Sequence, residues 1–135
     1  MSMNKRTQRT RKTKPGIPVG SKYVGRPSKW GNRWKVGSNE IADGTTISIP
    51  NNRVAVMMYY AQIKDMIESS PETFKRWLKP LRGKNLCCWC KPDEICHADV
   101  LLFFTNRFQA IGSYAKKMPN FDVFESWLKA EKSVV

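Results

Sequence analysis

Apolar positions along the chain recur with two periods, and the change from one to the other marks its elements. From Arg53 to Glu68, Val54, Met57, Met58, Ala61, Ile63, Met66 and Ile67 fall on one helical face, broadened by Tyr59 and Tyr60, with Asn51 or Asn52 placed to cap it. Ser70-Pro71-Glu72 starts a second, shorter helix bearing Phe74, Trp77 and Leu78, and Pro80 stops it. Lys84 to Cys90 then forms a short apolar run behind a Pro80/Gly83 turn, the pattern of a buried strand, and Leu86–Cys90 is expected at the centre of a sheet. After the polar break Lys91-Pro92-Asp93-Glu94, the stripe of Val100, Leu101, Phe103 and Phe104 predicts a helix with acids near its start. A last helix, capped by Asn120, follows from Phe121, Phe124, Trp127 and Leu128. Tyr23-Val24 and Thr45–Ile49, the latter behind an Asp43-Gly44 turn, read as short strands. The expectation is an α/β domain: a short, mainly parallel sheet flanked by helices over residues 20–135, preceded by a basic, flexible arm over residues 1–19.

Charge sharpens that division. Residues 1–39 hold eleven Lys/Arg and no acid, whereas the remainder holds thirteen Lys/Arg against eleven Asp/Glu. Most of the net +13 therefore sits in the first third of the chain, an arrangement that suits phosphate backbones better than mere solubility requires. No window reaches the roughly 20 apolar residues of a membrane span, and the charged N-terminus lacks the apolar stretch of a secretory signal. Neither a membrane partner nor secretion is expected, and the cytoplasm is the expected location. Four cysteines within Cys87–Cys96 make a poor disulfide framework, so reduced thiols or metal ligands are expected.

Two stretches carry candidate chemistry. Gly25-Arg26-Pro27-Ser28-Lys29-Trp30-Gly31-Asn32-Arg33, the candidate ligand-binding set, with Trp34 after it, is a shaped loop. Its cations Arg26, Lys29 and Arg33 and stacking faces Trp30 and Trp34 make the combination that nucleotide or nucleic-acid recognition uses. For Trp30 by itself, packing into the core is the favoured reading. Cys88 and Cys90 share a strand face, and Cys96-His97 returns after five residues, giving Cys88, Cys90, Cys96 and His97 as a candidate zinc set. A closed set of four would be structural. Two other readings stay open: Cys96 as a nucleophile activated at a helix N-terminus, and the cysteines as small core residues. Asp99 by default caps its helix, with a catalytic role for Asp99 or His97 as acid–base group as the alternative.

Tyr23-Val24-Gly25-Arg26-Pro27-Ser28-Lys29-Trp30-Gly31-Asn32, Leu81-Arg82-Gly83-Lys84, Cys88-Trp89-Cys90 and Cys96-His97-Ala98-Asp99-Val100-Leu101 together resemble a short phage and bacterial domain of unknown function, DUF family 4326. The resemblance covers roughly residues 20–105. Arg33-Trp34 departs from the family's Pro-Phe at that point. A strand ending in Cys and a helix opening with Cys-His also resembles another uncharacterised, Rossmann-like family, which implies a Rossmann-like sheet. In such sheets ligands lie beyond the carboxyl ends of the strands, where the Gly25–Asn32 loop and the Cys90–His97 turn would meet. The resemblance implies no reaction. Nucleic-acid or nucleotide binding is the expected function. An enzyme acting on nucleotides, nucleosides or modified bases is one competitor, and a phage protein that inhibits a host protein through its surface is the other.

Overall fold

Strand β5, Asn85–Cys88, is the axis of the molecule in the computed structural model, which describes residues 4–9, 17–91 and 93–133. It lies between β1, Arg6–Gln8, and β2, Ser21–Tyr23, and pairs with both in parallel. Leu86, Cys87 and Cys88 are buried, as befits a strand covered on both faces. Gly83, at a φ of 79°, makes the turn that feeds it. The central strand and the α/β class thus follow the sequence pattern.

The arm does not. Residues 6–8 were expected to be flexible, yet Arg6 pairs with Leu86, Thr7 with Cys87 and Gln8 with Cys88. Backbone bonds from Leu86 to the Lys5 carbonyl (2.9 Å) and from Arg9 to the Cys88 carbonyl (2.7 Å) extend that ladder. The reason is tertiary: three polar residues have no strand signal of their own, but an unpaired edge of β5 supplies their hydrogen-bond partners. The expectation of flexibility for residues 1–3 and 10–16, with Arg11, Lys12 and Lys14, lies outside the described residues.

A separate hairpin, β3 (Asn39–Ala42) against β4 (Thr45–Ser48), turns at Asp43-Gly44, both with positive φ (51° and 75°). The sequence pattern announced the turn and the second strand only. Helix α1, Asn52–Ser69, is capped by the Asn51 side chain, which accepts from the Val54 amide. Helix α2, Pro71–Leu78, is capped by Ser70 in the same manner. A short 3₁₀ turn, Lys79–Leu81, leads back to β5.

Helix α3, His97–Thr105, is buried along its whole length, which explains why both faces read as apolar. It begins later than the breaker at Lys91–Glu94 suggested. Behind it lie α4, Ile111–Tyr114, and α5, Phe121–Ser133. Phe74, Phe103, Phe104, Phe124, Tyr60 and Trp127 interlock there, with Phe104 edge-on to Phe74 (5.6 Å between centroids) and parallel to Phe124 (6.0 Å). No helix among the described residues is long and apolar enough to cross a membrane.

Candidate functional site

The carboxyl ends of β2 and β5 open on one cleft of about 280 Å³. Tyr23, Gly25 and Arg26 enter it from the end of β2, and Cys88, Trp89 and Cys90 from the end of β5. The first turns of α1 and α3 contribute Asn52, Ala55, Val56 and His97, and Asn32, Trp34 and Val36 close it. This is the position at which parallel α/β sheets receive ligands, because backbone amides and helix starts converge there.

Of the nine loop residues singled out in the sequence, only Gly25, Arg26 and Asn32 line this cleft. Asn32 is buried and its side chain is occupied, donating to the Ala55 carbonyl (3.0 Å) and accepting from the Trp34 amide (3.0 Å). Trp30 is a core residue, its indole N–H donating to the Trp77 carbonyl (3.0 Å) while the Tyr59 hydroxyl donates to the Trp30 carbonyl (2.7 Å). Gly31 is required by close approach: a Cβ there would lie 3.0 Å from the Arg26 amide nitrogen and 3.1 Å from the Gly25 carbonyl carbon. Pro27, Ser28 and Trp30 face a second, shallower groove. Lys29 and Arg33 are exposed, with their cations over the rings of Trp30 and Trp34 at 4.9 and 4.2 Å. The loop therefore serves the site mostly by holding Arg26 and Trp34 in place.

Trp34, a stacking face in the sequence reading of the loop, lines the cleft, and so does Trp89, which the sequence does not single out. Trp34 is 4 % exposed, and its indole nitrogen has no hydrogen-bond partner among the described residues. Trp89 is 46 % exposed, with Arg9 4.9 Å from its ring centre and 4.7 Å from that of Tyr23. A buried donor without an acceptor and a half-exposed indole beside a β5 end could have been suspected only once the fold was known.

The Sγ atoms of Cys88, Cys90 and Cys96 all lie within 4.8 Å of one another, an arrangement that could hold a metal ion. Cys88 and Cys96 are 3.1 Å apart. His97, the fourth member of the zinc set expected from sequence, falls outside this mutual group. Its Nε2 lies 2.8 Å from the Val24 carbonyl, an acceptor, so Nε2 carries the proton and Nδ1 presents a lone pair 3.5 Å from the Cys96 sulfur. Burial lowers the His97 pKa and keeps the ring neutral.

The three thiols share their protons unequally. Hydrogen bonds from Cys88 and Cys96 pull Cys90 down to about 3, whereas the bond to Cys90 and burial push Cys88 up to about 12. Cys96 is raised strongly by the Cys88 and Cys90 thiols and by burial. The neighbouring sulfurs and burial thus oppose the lowering that a helix N-terminus would give a thiol. Cys87 faces away from the cluster as a buried small residue beside Thr7, its pKa raised by burial.

Asp99 takes its default role. Its Oδ2 accepts from the Cys96 amide (2.9 Å) and from Arg6 Nη1 (3.0 Å), closing a capping box at the start of α3. Both side chains of this ion pair are nearly inaccessible, 8 % for Arg6 and 6 % for Asp99. Arg6 also donates to the Lys91 carbonyl (2.9 Å). Burial works against its charge, yet the fields of Asp99 and the three clustered cysteines raise its pKa. An arm residue thus reaches the back of the cysteine cluster.

The family described as "Domain of unknown function (DUF4326)" matches residues 6–107, beginning within β1 and ending after α3. An uncharacterised 12.4 kDa protein from the nrdA-td intergenic region of Enterobacteria phage T4 is 46% identical over 46 residues, 33% of this chain and 42% of that protein. The similarity thus spans less than half the length of that relative. No solved structure matches. With a match over well more than half of its 135 residues, including both strands that flank β5 and the helix bearing Cys96 and His97, the chain belongs to the DUF4326 family.

Proposed function

We propose that the protein binds a nucleotide, free or as part of a nucleic-acid strand, in the cleft at the ends of β2 and β5. One observation carries this reading: the cleft combines the Arg26 cation with aromatic walls from Tyr23, Trp34 and Trp89. Phosphate calls for the cation and a base for the aromatic faces. The volume of about 280 Å³ suits a single nucleotide unit rather than a dinucleotide. The basic segment with Arg11, Lys12 and Lys14 would add phosphate contacts along a strand. The cysteines in the same wall are a site for a thiophilic cation of the zinc class, and free thiols suit the reducing cytoplasm, that of the host if the protein is phage-encoded.

Catalysis by Asp99 is not part of this reading, since its carboxylate is committed to the Cys96 amide and to Arg6. The test is calorimetric titration with nucleoside monophosphates and short single strands of DNA and RNA at several salt concentrations. Arg26→Ala should weaken binding by about 1.5–3 kcal/mol, tenfold or more. Replacing Arg11, Lys12 and Lys14 by Gln should leave mononucleotide affinity unchanged and lower the salt slope for oligonucleotides by roughly 2–3. Equal affinity in wild type, Arg26→Ala and Trp34→Phe would place the ligand elsewhere and refute the reading.

A further inference from the structure

Resting on the reading of the cysteines as a metal site, we infer that Cys88, Cys90 and Cys96 hold a zinc-class ion by three thiolates and leave its fourth coordination position open to the cleft. Sequence spacing suggested a closed set completed by His97. The geometry points to an exchangeable position instead.

Zinc–sulfur bonds of about 2.3 Å in tetrahedral geometry put neighbouring sulfurs roughly 3.8 Å apart. Cys88 and Cys96 are 3.1 Å apart and no pair of the three Sγ atoms is more than 4.8 Å apart, close to that spacing on either side. Shifts of roughly 1 Å or less would therefore seat the ion in one face of a tetrahedron. Cys88 and Cys90 form part of the cleft wall and Cys96 lies buried, so an ion held by the three sits at that wall, where a ligand in the cleft can reach its fourth position.

His97 lies outside the mutual group of the three sulfurs. Its ring is tied to the Val24 carbonyl through Nε2 and packs edge-on to Tyr59, with centroids 5.1 Å apart. The bond to the Val24 carbonyl leaves Nδ1 free, but bringing Nδ1 onto an ion shared by the three sulfurs would mean moving the ring or the first turn of α3 towards them. Left where it is, Nδ1 is a hydrogen-bond acceptor at the cleft wall, able to take a proton-bearing group of whatever occupies the fourth position. The supporting shell is already in place: Asp99 fixes the Cys96 amide, and Arg6 offsets the surplus negative charge of three thiolates around a divalent ion. A three-ligand centre with one open position is the arrangement of zinc sites that bind or activate a ligand, whereas a four-ligand centre is structural.

Cobalt(II) substitution decides. Reduced protein purified without an affinity tag is titrated with cobalt chloride and followed by absorption, with added zinc as competitor. Wild type should show sulfur-to-cobalt charge-transfer bands and the intense visible bands of four-coordinate cobalt, reversed by zinc. Cys90→Ser should lose affinity by more than the roughly 10–100-fold typical of losing a supporting residue. Imidazole added to the wild-type cobalt protein should shift the visible bands, and His97→Gln, which keeps a donor for the Val24 carbonyl, should retain them. Visible bands that ignore imidazole overturn the open position while leaving the metal site intact. Failure of cobalt and zinc to bind the folded, fully reduced protein overturns both.

Discussion

The two sides of α3 are built on different physics. Towards α1, α2 and α5, the helix meets rings whose contacts are many and individually replaceable, as around Phe104 and Phe124. Towards the sheet its first turn meets single-copy polar contacts: Arg6 to Asp99, Asp99 to the Cys96 amide, His97 to the Val24 carbonyl. Apolar burial is non-directional and scales with area, so the ring side supplies stability. Directional contacts fix positions, so the sheet side supplies geometry. Stability and site function should therefore separate on mutation.

The largest stability loss is expected from Phe104→Ala. Its ring is fully buried among four aromatic neighbours, and truncation should cost about 3–5 kcal/mol in chemical denaturation. Cobalt or nucleotide affinity of the folded fraction should not change, and a parallel loss would break the division proposed. Arg6→Ala comes next, at about 3 kcal/mol, because it strands the Asp99 carboxylate in a buried place while the Cys96 amide still partners one oxygen. Here cleft affinity should fall as well, since β1 and the cap of α3 share that ion pair. Gly31→Ala should cost about 1–3 kcal/mol by forcing a methyl against the Arg26 backbone, and it should weaken nucleotide binding more than thermal stability alone explains. The smallest effect is that of Ser70→Ala, about 1 kcal/mol from the lost cap of α2, with ligand affinity untouched. Paired denaturation and titration curves for these four variants would show whether the two sides are as independent as the contacts imply.

What the sequence made legible follows the same division. The helices announce themselves by period and cap: Asn51, Ser70 and Asn120 all accept from the backbone amide three residues on. The central strand was visible as an apolar run because β5 is covered on both faces. β1 was hidden because Arg-Thr-Gln carries no pattern, and its partner lies 80 positions away. β3, Asn-Glu-Ile-Ala, was hidden because it pairs with β4 alone and its one large apolar residue, Ile41, is exposed rather than part of a buried face. At the site, the convergence of Cys88, Cys90 and Cys96 was readable from their close spacing, although β5 ends at Cys88 and Cys90 lies in the bend after it rather than on a strand face. That His97 falls outside this group was not, because its ring is positioned by the Val24 carbonyl, 73 positions earlier. Nor could spacing reveal that Trp34 would be left without an acceptor.

The parallel placement of β1 and β2 on either side of β5 also sets a timetable for synthesis. Neither flanking strand can pair until Asn85–Cys88 has left the ribosome, so residues 6–8 wait for a partner 80 positions downstream. At translation rates of about 5–20 residues per second, that wait is roughly 4–16 s. During it the nascent chain has α1 and α2 to offer as local structure, while its basic N-terminus is free to meet other polyanions, ribosomal RNA among them. The sheet, the Arg6–Asp99 pair and the cysteine cluster must then close together, late and nearly at once, because each depends on the same four-residue strand and the helix that follows it.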